Sequence, residues 1–296
     1  MRTRFVAEVS SNHARSLERG LRFVDVAAEV GCAAVKFQQF KIDELFAPEA
    51  LRANPALRRR REWELPEEFN ADLARRAHAQ GLEYSSTPFY LDAVGVLAPH
   101  VDFFKVASYQ ILWLDLLREV GRARKPVVLA TGMATLDEVR GAVDAIVAGG
   151  APELTLLHCV SLYPTLPEEA NLAAIDTLRR TFDLPVGWSD HTVSPEVVQR
   201  AIGRWEAPLV EFHLDLDGAG EEYVAGHCWL PEEIAAVIAE PPSEQALSSE
   251  PQTCDGSGEK RPAAGEDYER RWRTDPSDGL RPLLETRRGL AAEEAA

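Results

Sequence analysis

Eight short apolar runs punctuate the chain, at 5–10, 33–38, 83–88, 103–108, 126–131, 154–159, 184–190 and 209–215. They are apolar through their length rather than alternating, as strands of a parallel sheet covered on both faces should be. Between them, 16–30, 66–80, 112–123, 135–148, 171–182 and 194–201 place apolar residues at three- and four-residue spacing, which predicts helices. Thr135 three residues before Glu138 reads as a capping box, and Pro66 and Pro195 suit first helical positions. Gly31, Gly81 and Gly149-Gly150 fall where helices should stop.

Eight strand–helix units without a large interruption predict an α/β fold, a (β/α)8 TIM barrel over residues 1–240 whose last helix is 231–238. An open doubly wound sheet is the competitor, but its glycine-rich first turn is absent: the chain there reads Ser10-Ser11-Asn12-His13. From Pro241 the composition turns to Pro, Ser, Gly, Glu and Arg, so 241–296 is expected to be an irregular, partly disordered tail. The stretches 268–276 and 278–282 carry two aromatics and several arginines, enough to dock back on the barrel.

With 296 residues and 45% hydrophobic content the chain can bury one large core. Its net charge of -16 argues against nucleic acid or an anionic membrane as partner, so an anionic substrate would need a locally basic pocket. Cys32, Cys159, Cys228 and Cys254 form no CxxC pair and indicate neither a zinc ribbon nor a disulfide framework. The N-terminus is too short in apolar residues for a secretory leader, and no stretch approaches the roughly twenty a membrane span requires. A soluble, cytoplasmic protein is the expectation.

In a barrel the carboxyl ends of the strands face the active site. That rule selects Glu8, Asn12 and His13; Lys36, Gln38 and Gln39; Ser85, Ser86 and Thr87; Lys105, Ser108, Tyr109 and Gln110; Thr131 and Gly132; His158, Ser161 and Tyr163; Ser189, Asp190 and His191; and Glu211 and His213. His191 and His213 end neighbouring runs, and two adjacent imidazoles are the simplest divalent-metal site from chain-distant residues; a lone histidine at a strand end is as readily a hydrogen-bonded structural residue. Lys36 and Lys105 inside a barrel call for neutralisation, by a bound anion or by Glu8, Asp190 or Glu211. Thr87, Ser108, Thr131 and Ser189 add hydroxyl donors suited to a phosphate or carboxylate. Asp190 and Glu211 suit the role of partners that fix an imidazole tautomer.

Ala7-Glu8-Val9 with Asn12-His13, Val35-Lys36-Phe37-Gln38, Ser86-Thr87-Pro88-Phe89, Phe104-Lys105-Val106-Ala107-Ser108, Thr131-Gly132-Met133, Leu157-His158-Cys159 with Tyr163-Pro164, Gly187-Trp188-Ser189-Asp190-His191-Thr192 and Glu211-Phe212-His213 resemble the sialic acid synthase family, one motif per strand in the family's order. The resemblance implies a metal-dependent condensation of phosphoenolpyruvate with an N-acyl hexosamine such as N-acetylmannosamine, giving a nonulosonic acid and phosphate. It implies that His191 and His213 hold a divalent ion, most readily manganese, with magnesium or cobalt as alternatives. Glu8 would act near the reacting centre; Lys36, Lys105, Thr87, Ser108, Ser161 and Ser189 would face phosphoenolpyruvate; Gln38, Gln110, Tyr163 and Glu222 would face the acceptor. The resemblance also implies a homodimer.

Several positions depart from the pattern. Ala130 stands where the family has a phosphate-binding serine, Ser161 where it has an asparagine, and Gln110 where it has an acid. After His213 the family's Gly-Pro-Asp is replaced by a longer segment in which Glu221 or Glu222 is left as a sugar-contacting acid. The family's antifreeze-like C-terminal domain, which offers an arginine to the acceptor, is replaced by the tail, where Arg271, Arg273 or Arg281 are the candidates for that part. Two other readings stay open: another barrel condensation or aldol reaction on a different sugar, and a catalytically silent barrel that binds an anionic sugar or a protein.

Overall fold

The computed structural model describes residues 3–294; Met1 and Arg2, part of the N-terminal stretch weighed above as a leader, and Ala295 and Ala296 at the end of the tail lie outside them. Eight parallel strands follow in order: β1 (Arg4–Glu8), β2 (Ala34–Gln39), β3 (Glu83–Pro88), β4 (Phe103–Val106), β5 (Val127–Ala130), β6 (Leu154–His158), β7 (Val186–Asp190) and β8 (Leu209–Leu214). Each pairs with the next, and β1 pairs with β8 from Arg4–Leu209 to Glu8–His213, which closes the (β/α)8 barrel. A two-residue strand, β9 (Cys228–Trp229), extends the rim by pairing with His213 and Leu214.

Helices cover the barrel at Leu17–Glu29, Phe69–Ala79, Leu91–Leu97, Leu114–Arg122, Leu136–Gly149, Ala174–Phe182, Pro195–Gly203 and Pro231–Ala239. The capping box is present, with Thr135 and Glu138 exchanging side-chain and backbone bonds, and Gly150 ends that helix at φ 98°. Pro195 opens its helix, whereas Pro66 does not: the Phe69 amide donates to the Pro66 carbonyl in a turn that precedes the helix. The helix Leu91–Leu97 was not among the expected segments, because seven residues are too few to display a 3.6-residue period.

Alternation along each strand decides what the site contains. Val6, Ala34, Phe103, Val128, Ala130, Leu157, Cys159 and Leu209 form a separate apolar cluster inside the barrel. Stepping by two towards the carboxyl ends turns Glu8, Lys36, Lys105, Ser189, Glu211 and His213 to the same interior. The alternate residues, such as Phe37, Phe104, Trp188 and Phe212, join the larger core beneath the helices.

The segment after Pro241, read from composition as partly disordered, contains the helices Asp267–Arg271 and Leu284–Glu294 and packs along the barrel. Buried Arg200 donates to both carboxylate oxygens of Asp255, at 3.0 and 2.7 Å, and its remaining hydrogens reach the carbonyls of Gln245, Ala246, Ser248 and Glu250. Glu266, 1% exposed, accepts from the amides of Met133 and Ser161 through one oxygen and of Ala263 through the other. These bonds tie the tail to the loops after β5 and β6.

Candidate active site

At the carboxyl end of the barrel one pocket is lined by Glu8, Lys36, Gln38, Lys105, Ser108, Tyr163, Ser189, His191, Glu211, His213 and Glu222, together with Ser10, Ser11, Arg60, Tyr109, Ala130, Cys159 and Arg281. On its floor the Lys36 ammonium pairs with Glu8 and stands 3.7 Å from Glu211, and Lys105 lies 3.0 Å from the same Glu211 oxygen. Two cations therefore face two anions in a space closed to water. Burial opposes the charge on Glu211, yet Lys105 and Lys36 hold its pKa down to about 2. Glu8 also accepts from the Gln38 amide at 2.7 Å and from the Ser10 amide at 3.1 Å.

Across the pocket the rings of His191 and His213 stand 5.5 Å apart between centroids, with Tyr163 4.3 Å from His191. His191 Nδ1 bonds to the Val160 carbonyl at 2.7 Å, which leaves Nε2 unprotonated in the neutral ring. Burial, reinforced by the nearby His213, pulls the His191 pKa down to about 3. His213 goes the other way: burial opposes its charge, but contacts with Cys228 and Glu222 push it up to about 10. Its Nδ1 lies 2.9 Å from Glu222 Oε2. Glu222 Oε1 accepts from the hydroxyls of Ser10 at 2.5 Å and Ser11 at 2.9 Å.

The wall between the lysines and the histidines is made of small groups. A methyl group placed on Gly132 would lie 2.3 Å from Ser161 Oγ, 2.9 Å from Ser108 Oγ and 3.0 Å from Cys159 Sγ, so only glycine fits there. The Gly132 amide donates to Ser108 Oγ at 2.9 Å, while Ser161 Oγ is buried without a partner.

A model described as the NeuB family matches residues 23–249. The chain belongs to the NeuB family. It is 33% identical over 281 residues to the N,N'-diacetyllegionaminic acid synthase of Legionella pneumophila, a match covering 88% of this chain and 75% of that protein. An uncharacterised protein of Methanocaldococcus jannaschii is 35% identical over 218 residues, 73% of this chain and 63% of its own length. The crystal structure of N-acetylneuraminic acid (sialic acid) synthetase from Leptospira borgpetersenii in complex with citrate superposes with a TM-score of 0.75 at 28% identity, covering 91% of this chain and 90% of that one. These relatives place the NeuB chain among the acid synthases.

Ten of the expected residues meet in the NeuB pocket: Glu8, Lys36, Gln38, Lys105, Ser108, Tyr163, Ser189, His191, His213 and Glu222. Thr87, Gln110 and Ser161 stand behind its lining. Thr87 Oγ1 is 3.4 Å from Lys36 Nζ. Gln110, with its amide turned so that nitrogen donates to the Ala107 carbonyl, accepts from Arg281 at 2.7 Å. His158, named by the strand-end rule, points into the outer layer, bonded to the Ala170 carbonyl and packed on Trp188.

Neither carboxylate expected to orient a histidine does so. Asp190 accepts from the indoles of Trp188 and Trp229 and from the loop at Thr192 and Val193, and Glu211 pairs with the lysines. Glu222 and the Val160 carbonyl orient the imidazoles instead. Of the three tail arginines considered, Arg281 reaches the pocket, stacked 4.2 Å over Tyr109 and 5.1 Å over Phe89, while Arg273 pairs with Glu138. Ser10, Ser11, Arg60, His227 and Cys228 were not singled out beforehand; the last two follow a left-handed turn at Gly226 that no spacing rule marks.

Proposed function

We propose that this protein condenses phosphoenolpyruvate with an N-acyl hexosamine to give a nonulosonic acid and inorganic phosphate. The observation that carries the reading is the division of one pocket into a lysine floor and a histidine wall, on a fold whose relatives are named synthases of legionaminic and sialic acids. Lys36 and Lys105 would exchange part of their pairing with Glu8 and Glu211 for the substrate's carboxylate and phosphate, and Ser108 and Ser189 would add hydroxyl donors. Ser108 and Ser161 flank the place where Ala130 withholds a hydroxyl.

C3 of the enolpyruvate attacks the sugar's aldehyde carbon, water adds at C2, and the phosphate leaves with the C2 oxygen's former partner electrons. His191 and His213 fit a divalent ion: the His191 Nδ1 bond leaves Nε2 for coordination, and the two rings are close enough to share one. Such an ion, with manganese, magnesium and cobalt as the candidates, supplies Lewis-acid polarisation of the aldehyde oxygen. Glu8, held by Gln38 and Ser10, is placed to hold the water or the acceptor hydroxyl. Gln38, Tyr163, Glu222 and Arg281 ring the side on which the sugar would lie, so the tail supplies in cis a cation facing the acceptor. A homodimer and a cytoplasmic site of action, where phosphoenolpyruvate is made, complete the proposal.

The test follows phosphate release from phosphoenolpyruvate with a panel of N-acyl hexosamines, with and without divalent metal. Release should need both sugar and metal, and His191→Ala and His213→Ala should each lower it on the order of 10²-fold or more. No release with any acceptor, alongside retained sugar binding, would point to a silent barrel instead.

A further inference from the structure

Glu222 Oε2 is surrounded in an unusual way. His213 Nδ1 is 2.9 Å from it, His227 Nε2 3.6 Å and Cys228 Sγ 3.8 Å. Only the first is a hydrogen-bond length; the imidazole of His227 and the thiol of Cys228 approach the carboxylate without bonding it well. One ligand atom from each of the four side chains lies within 4.8 Å of all the others. His213, His227 and Cys228 are largely buried, and His227 Nδ1 has no partner. A tetrahedral ion with bonds of about 2.0–2.3 Å sets its ligands roughly 3.3–3.8 Å apart, the spacing found here.

The surroundings hold the four groups ready. The parallel register of β9 on β8 sets Cys228 beside His213. Ser10 and Ser11 fix Glu222 through its other oxygen, leaving Oε2 for the cluster. Asn12 Nδ2 donates towards Cys228 Sγ at 3.6 Å, a contact that suits a thiolate. The loop that carries Glu222 is anchored by Asp215, which accepts from the Gly220 amide at 3.0 Å and pairs with Arg19.

We propose that His213, Glu222, His227 and Cys228 form a transition-metal centre on the wall of the pocket. Two imidazoles, a carboxylate and a thiolate select zinc, cobalt(II) or ferrous iron over magnesium or manganese, because the sulfur ligand is soft. The inference deepens the reading above by giving the ion a ligand set built on Glu222 rather than on His191, and it makes no use of the sugar or of phosphoenolpyruvate.

Metal-stripped full-length protein titrated with cobalt(II), without substrates, tests it. One equivalent should bind, with visible bands of a four-coordinate ion and a thiolate-to-cobalt charge-transfer band in the near ultraviolet. Cys228→Ser should abolish the charge-transfer band, and His227→Ala should weaken binding on the order of 10–100-fold or more. His191→Ala should keep the band. A wild-type cobalt spectrum without charge transfer overturns the proposal whatever the variants do. Unchanged affinity in His227→Ala, or loss of the band in a folded His191→Ala protein, overturns it equally. Because the readout is spectroscopic, failure of the condensation assay alone leaves this centre standing.

Discussion

Glu211 lies between Lys105 and Lys36, and no group in the pocket has a more costly charge to leave unmatched. The side chains of Lys105 and Glu211 are 8% and 4% exposed, so their attraction acts with little screening and their desolvation has already taken place. Removing one partner leaves the other's charge buried. Lys105→Met should therefore destabilise the protein by about 3–5 kcal/mol, measured by denaturant unfolding; a loss under about 1 kcal/mol would show that water or a rearranged Lys36 covers Glu211. At this scale the sequence was informative about residue type and blind to partners. Lys36 and Lys105 were legible as interior cations because lysine on a buried strand demands an anion. That the anions are Glu8 and Glu211, and that Asp190 faces the opposite layer, follows from strand parity and barrel closure, which no single run displays. His227 and Cys228 were illegible for a different reason: they enter through the pairing of a two-residue strand, too short to leave a pattern.

Among the elements, strands and long helices were legible because continuous apolar runs and 3.6-residue spacing are properties of the chain itself. The tail was not, since its order comes from polar anchors that composition counts as signs of disorder. Its first anchor, Asp255, binds Arg200 through both oxygens and accepts from the Trp205 indole at 2.7 Å. Burial raises and Arg200 more than offsets the effect, so the Asp255 pKa sits below the usual carboxylate range. The sign follows directly: a depressed folded-state pKa contributes stability that is fully present above the unfolded value of about 3.9 and is lost as pH falls through the depressed one. Acidification below about pH 4 should release this segment, seen as a change in Trp205 fluorescence that Trp205→Phe removes. Asp255→Asn should show the released signal already at neutral pH; an acid transition identical to wild type in that variant would place the anchor elsewhere.

For the molecule as a whole, the tail is part of the fold that makes the pocket. Its Arg281 backbone bonds to Leu45 and Ala47, its guanidinium covers Tyr109 and Phe89, and burial draws that guanidinium's pKa down to about 10. Gly279, at φ 77°, lies against the Trp113 indole so closely that an added methyl would fall 2.2 Å from a ring carbon. The approach of this segment therefore depends on glycine at that position. Cutting the chain after Glu240 would strand buried Arg200 without Asp255 and leave the amides that Glu266 satisfies unpaired, at about 3–5 kcal/mol for the ion pair alone, so residues 1–240 should not fold stably. A stop after Asp278 separates folding from function, because it keeps Asp255 and Glu266 but removes Arg281. That shorter protein should retain wild-type far-ultraviolet circular dichroism and phosphoenolpyruvate binding while losing roughly tenfold or more in affinity for the acceptor sugar, as expected for one charge-assisted contact of about 1.5–3 kcal/mol. Calorimetric titration of each ligand into both lengths decides the point: unchanged sugar affinity would remove Arg281 from the acceptor side, and lost phosphoenolpyruvate affinity would move it to the anion floor beside Lys36 and Lys105.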